Sequence, residues 1–417
     1  MVVTASPAWS WHSPTQVLAG HGATEALGTK VRQLGRTALF VTDPALETAD
    51  EVRQHLARAQ IRTHLAVVDE PHPSLAAVNL LCRTARSARV DVVTGFGGGR
   101  CLDVAKAVAA GLRNPGLLDP AGDNWNNSHG LVAPGHHGLR PCLPSVLIPT
   151  TLGTSSEVNA VVSLTHQSRK KLMLHGLLRA RLAILDPVHT RTLPPQLVLS
   201  GTLEAMLRLA VPMMTSPHPA PLEDDLALAL LGRLLNEGES LASGDTTDTI
   251  RLRIAKASAA TQTNWALTGR DPRGHRLWYL TNDLAALAGV SKMSAMAAAL
   301  PHYLSRVVSG DLRYGHASRL AELGHRLFHT TDAATAADSL ASLVSRWSLP
   351  HDLPPALDPH AIAASTWCSW GQGRPYLPDF TEADLEEFYA TVLAAFGQST
   401  VCADRSGNIC CCSEQPL

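Results

Sequence analysis

Val92-Val93-Thr94-Gly95-Phe96-Gly97-Gly98-Gly99-Arg100 sets three consecutive glycines directly behind a short apolar run, and a helical Ala-rich pattern opens straight after them. No other stretch constrains the chain as much. Glycine permits φ > 0 and close backbone approach, so the N–H groups at the following helix start can face an anion, aided by the helix dipole. A glycine triplet alone marks a turn. Behind a buried strand it reads as a phosphate cradle.

The surrounding sequence alternates strand and helix. Thr37–Val41 is an apolar strand ending at the turn signal Thr42-Asp43-Pro44, residues 51–59 have helical spacing, and 63–68 read as a strand. Then come 74–88 (helix), 90–95 (strand), a helix from Gly99 through Ala110, and strands at 146–149 and 182–187. Continuous apolar strands separated by helices predict a parallel sheet covered on both faces. After Leu193-Pro194-Pro195 the strand signals fade, and Ala/Leu-rich helical segments follow at 222–235, 249–267 and 293–308. The expected fold is therefore an α/β Rossmann-like parallel-sheet domain over 1–193 and an all-α domain over 194–397. Residues 122–137 and 215–221, rich in Gly, Pro, Asn or His, read as surface loops.

With 417 residues, 45% of them hydrophobic, the chain is long enough for two such cores. Its net charge of −1 gives no reason to expect a nucleic acid partner. No apolar stretch approaches the roughly 18 residues of a membrane span, and Met1–Ser13 lacks the order of a signal peptide. A cytoplasmic protein, associating as an oligomer of like or unlike chains, is expected. Cys82, Cys101, Cys142 and Cys368 sit in apolar segments, as buried thiols do. Cys402, Cys410, Cys411 and Cys412 crowd a terminal tail over 398–417, which reads as a docking segment for a partner enzyme or second subunit.

Gly97 to Lys106, GGGRCLDVAK, is similar to the GGGSxxDxAK segment of the iron-containing alcohol dehydrogenase family, which has the dehydroquinate synthase-like fold; Arg100 stands where that family has Ser. Other motifs follow in the family's order. Val41-Thr42-Asp43-Pro44 resembles its first strand end, and Ile148 to Val158, IPTTLGTSSEV, resembles IPTTxGTGSEV. Ala183–Pro187 with Leu193-Pro194-Pro195 matches its domain junction, and Gly371–Pro375 with Asp384–Tyr389 its last loop and helix. The resemblance covers roughly 15–397 and implies a nicotinamide dinucleotide between the two domains. Asp43 would bind the adenosine ribose, which favours NAD over NADP. Gly97, Gly98 and Gly99 would cradle the pyrophosphate, with Arg100 beside it either pairing with the phosphate or crowding it; Asp103 belongs to the same cofactor-binding segment, Thr150 and Thr151 would line the nucleotide, and Lys171 falls where a cofactor-contacting Lys follows. His72 stands where the family often has Asn.

The family's metal is held by an Asp and a His four residues apart on one helix, and by two later His residues. Here Glu204 and Arg208 stand on the first pair, or Leu203 and Leu207 in an ungapped alternative. Lys292 stands on the last His, Trp278 on the other, and Asn282 where many members have a further active-site His. Arg, protonated Lys and indole do not ligate metals, so no iron or zinc is expected. His275 lies near Trp278 on an apparent insertion that does not restore the site.

Two functions follow. In one, an oxidoreductase moves a hydride between NAD and an alcohol or carbonyl, with Lys292 and Arg208 supplying the positive charge a metal would give and Glu204 holding Arg208. Its substrate would be a small molecule or a peptide: degenerate dehydrogenases of this fold occur in peptide natural-product pathways, the daptide type among them, where a C-terminal Thr hydroxyl is oxidised. In the other, Trp278, Met206 and a solvent-reaching Lys refill a vacated pocket, and a catalytically weak subunit scaffolds a partner enzyme or peptide.

Overall fold

The computed structural model describes residues 9–135 and 138–397, so the cysteine-rich tail with Cys402 and Cys410–Cys412 lies outside the described residues. The strands are β1 (Gln16–Ala19), β2 (Thr37–Thr42), β3 (Arg62–Val67), β4 (Val92–Gly97), β5 (Leu131–Val132), β6 (Ser145–Pro149), β7 (Val161–His166), β8 (Arg169–Leu174) and β9 (Leu182–Leu185). Among them run α1 (Leu27–Arg32), α2 (Ala49–Arg58), α3 (Leu75–Ser87), α4 (Gly99–Arg113) and α5 (Asp123–Asn126). Beyond Pro195 the elements are helical: α6 (Pro195–Thr215), α7 (Pro221–Ala242), α8 (Asp248–Thr263), α9 (Arg276–Ala288) and α10 (Lys292–Val308). They continue as α11 (Ala317–Phe328), α12 (Ala333–Ala341), α13 (Leu343–Arg346), α14 (Pro359–Trp370) and α15 (Glu382–Gly397).

The main sheet has six strands in the order β1-β9-β6-β4-β2-β3, all paired parallel. Alternation along β2 explains why it is covered twice. Ala38 and Phe40 join α1 and α2 residues in one core, while Leu39 and Val41 join α3 and α4 residues in another. From β2 the chain runs outward to β3, then returns to place β4 on β2's other side. The carboxyl ends of β2 and β4 therefore flank a topological switch point, where open α/β sheets hold their ligands. Asp43 follows the first of these strands and Gly98 the second.

Part of the loop expectation is corrected. Residues 122–137 contain α5 and β5, because Trp125 is fully buried with its indole N–H donating to the Leu117 carbonyl at 2.8 Å, and β5 pairs with β8. One large aromatic side chain outweighs the polar residues around it. The β7–β8 hairpin escaped the sequence reading as well, since its turn residues Gln167 and Ser168 take φ of 50° and 59° without a glycine to announce it. The segment after Thr215 does connect α6 to α7. Among the described residues α6 is the one helix long and apolar enough to cross a membrane, and 89% of its apolar window is buried within the fold as a core helix.

Candidate active site

A cavity of about 1020 Å³ runs from the switch point to the first turns of α9 and α10. At its sheet end the β4–α4 turn is too tight for side chains. Gly97 has φ +156°, and a Cβ there would lie 2.8 Å from that of Cys101; one on Gly99 would meet the Thr154 hydroxyl at 3.3 Å. Gly99, Arg100, Asp103, Thr151 and Thr154 line the cavity, whereas Gly97 and Gly98 form the turn behind it and Thr150 follows β6 beside them. The Thr150 N–H donates to the Gly97 carbonyl at 3.0 Å, tying β6 to the turn. Asp103 accepts from Ser156 and from the Ser163 N–H at 2.9 Å, and pairs with buried Lys106 at 3.2 Å. It fixes α4 against the Thr-rich loop. A bare helix start facing free threonine hydroxyls fits a dinucleotide phosphate.

Strand alternation redirects one expected contact. Lys171 turns inward, where its ammonium donates to the carbonyls of Trp125 and of Ser128, the latter at 2.8 Å; Lys170 is the residue on the cavity wall. A one-residue step on a strand reverses the face. Burial and the nearby Lys292 both lower the pKa of Lys170.

At the helical end α6 presents Ser200, Glu204, Leu207 and Arg208 to the cavity, while Leu203 and Met206 point into the core. Met206 therefore does not refill the pocket. The Lys292 ammonium is bonded to Glu204 and lies 5.7 Å from the Trp278 ring centroid. Burial raises the Glu204 pKa, but Lys292 and Arg208 outweigh it and hold the carboxyl below its ordinary range. Arg208 sits 3.8 Å from Glu204, yet most of its donors are spent elsewhere: on the Gly153 carbonyl at 2.5 Å, the Thr154 carbonyl at 3.2 Å and the Thr261 hydroxyl at 2.8 Å. It pins the Thr-rich loop to α6.

His275, set aside in the sequence as part of an insertion, lines the cavity. Burial first, then Arg208 and Lys292, pull its imidazole down to about 4, so it is neutral at pH 7. Asn282 is buried off the cavity, its Oδ1 without a hydrogen-bond partner. Trp278, Tyr279, Trp370 and Tyr376 form an aromatic wall with ring centroids 4.9–5.6 Å apart. Asp283 secures it, accepting from the Trp370 indole at 2.9 Å and from Ser365 at 2.7 Å. His275 was set aside because it precedes α9 on an apparent insertion, and Tyr279, Trp370 and Tyr376 escaped the sequence reading because local spacing does not say which ring faces a cavity.

Glu157 is the other buried carboxyl here, raised to about 7 by burial despite Lys106 and Arg208 nearby. A folded pKa above the unfolded one means stability is present below about pH 4.5 and lost as pH rises through about 7. Glu157→Gln should therefore unfold at higher temperature than wild type at pH 8 and at nearly the same temperature at pH 4.5, measured by thermal melts.

The place to which the resemblance assigns the family's metal holds one carboxylate already bonded to an ammonium, beside a guanidinium and an indole. Among the described residues no group of three or more His, Cys, Asp or Glu is placed to hold a metal ion. This donor set does not fit a divalent cation.

A parallel sheet with a glycine turn at its switch point, closed by a helical half, defines a dinucleotide-type fold. The iron-containing alcohol dehydrogenase family model matches residues 14–187 of the chain. The chain is 29% identical over 313 residues, 74% of each chain, to long-chain-alcohol dehydrogenase 1 of Geobacillus thermodenitrificans. It is 24% identical to the NADPH-dependent aldehyde reductase YqhD of Escherichia coli, over 78% of this chain and 81% of that one. In fold it is similar to the NADH-dependent butanol dehydrogenase A of Thermotoga maritima, with a TM-score of 0.80 at 19% identity over 93% and 99% of the two chains.

Proposed function

We propose that the protein exchanges a hydride between a nicotinamide dinucleotide and an alcohol or carbonyl compound, and that side-chain cations replace the metal of its relatives. The observation that carries this reading is the Lys292 ammonium, anchored on Glu204 inside the cavity that the glycine turn opens. The dinucleotide supplies or accepts the hydride. Lys292 donates to the carbonyl oxygen and hands it a proton as the hydride reaches the carbon; in the reverse direction it takes the hydroxyl proton. Glu204 orients the ammonium. The N–H groups at the start of α10, where Ser291, Lys292 and Met293 line the cavity, add positive potential beside the forming alkoxide. Arg208 acts through position, by holding the loop that faces the nucleotide.

Relatives named as NADH-dependent butanol dehydrogenases support NAD(H). The aromatic wall favours a substrate with an apolar body. A C-terminal Thr of a peptide carries a secondary alcohol of the same class. The test follows NADH absorbance over a panel of aldehydes, alcohols and Thr-ended peptides. Turnover should survive dialysis against a chelator, with iron and zinc far below one per chain. Activity lost on chelation and restored by iron would overturn the metal-free chemistry, and nucleotide binding without turnover on any compound would overturn catalysis.

A further inference from the structure

At the sheet end of the cavity the carboxylate expected to face the ribose is not the group that does so. Asp43 lies behind Arg100. Its Oδ1 accepts from the Ala45 N–H at 3.0 Å, and its Oδ2 takes both Nη2 and Nε of Arg100, the latter at 3.1 Å. Arg100 lines the cavity, and Asp43 does not. The guanidinium is braced from its other side, Nη1 reaching toward the Glu70 carbonyl at 3.4 Å. Its side chain stays 33% exposed against 16% for the carboxylate, so unspent N–H groups point outward.

Arg100 is the second residue of α4, one position beyond the turn that would hold the pyrophosphate, while Asp43 directly follows the neighbouring strand, where the adenosine ribose lies in folds of this kind. A lone carboxylate there repels a 2′-phosphate. A carboxylate neutralised by an overlying arginine does not, and the planar fork suits a phosphate bidentately.

Resting on the dinucleotide reading above, we propose that Arg100, held over Asp43, makes the ribose end of this cavity a site for the 2′-phosphate of NADP(H), so that the protein accepts NADPH alongside NADH. Asp43 becomes a positioning residue that sets the guanidinium's direction and, through its residual charge, limits the preference.

The experiment measures dissociation constants of NADH and NADPH by fluorescence titration for the wild type, Arg100→Ser and Asp43→Asn. The wild type should bind the two within about tenfold of each other. Arg100→Ser, which exposes the carboxylate, should shift the NADPH-to-NADH affinity ratio at least tenfold toward NADH. Asp43→Asn should shift it the opposite way, and raising salt should weaken NADPH more than NADH in the wild type. Wild-type preference for NADH beyond about a hundredfold, or variants that move both affinities together, would overturn this assignment while leaving the dinucleotide reading intact. Binding of neither nucleotide would overturn both.

Discussion

Lys292→Ala should lower kcat by about 10²–10⁴-fold while NADH still titrates, because in the proposed reaction the lost group both stabilises the oxygen's developing charge and carries its proton. The fold should tolerate the change: Arg208 stays 3.8 Å from Glu204, so the carboxylate keeps a counter-charge. Lys292→Arg separates the two roles. A guanidinium retains the charge but does not give up a proton near neutral pH, so a loss similar to that of Ala assigns proton transfer, and a partial rescue assigns electrostatics. Turnover of Lys292→Ala at wild-type rate would remove Lys292 from the chemistry altogether.

Gly153→Ala should cost about 3–5 kcal/mol of stability, seen as a lowered denaturant midpoint. Gly153 has φ +108°, and a Cβ would sit 2.3 Å from the Gly201 Cα and 2.5 Å from its carbonyl oxygen. Both contacts are backbone on α6, so neither can swing aside. Gly201→Ala probes the same contact from the helix side, where the new methyl would lie 2.1 Å from the Leu152 carbonyl oxygen. Gly232→Ala, inside α7, is the control: its Cβ would meet only a Leu327 methyl of α11 at 4.0 Å, and the helix should gain up to about 1 kcal/mol. Equal midpoints for Gly153→Ala and wild type would mean that the Thr-rich loop does not rest on α6 as described. That contact sets how far Thr151 and Thr154 stand from Glu204 and Lys292, so the variant should lose nucleotide affinity as well.

Much of the sheet domain was legible because its signals are local. Phe40 and Val41 lie in an uninterrupted apolar strand, and Gly97 to Gly99 follow another, so strand, turn and helix each announce themselves within a few residues. The helical half was legible as helices only. Its Ala/Leu-rich segments are apolar on more than one face, and spacing alone does not separate Leu203, buried in the core, from Leu207, on the cavity wall. Trp125 shows the opposite failure, a buried anchor inside a stretch whose composition is that of a loop.

By itself, then, the sequence determined the alternation of strands and helices in the main sheet, the glycine cradle, and the residue types Lys292, Arg208 and Trp278, none of them metal ligands, at the positions the resemblance singles out; all are properties of residue type and short-range spacing. Only the tertiary structure decided which of two adjacent lysines meets the cavity, that Arg208 is spent on backbone carbonyls 54 and 55 residues away and on a hydroxyl 53 away, and that Arg100 covers Asp43 across 57 residues. The physical reason is that charge pairing and side-chain direction depend on what the remaining chain brings alongside, and no local pattern encodes those neighbours.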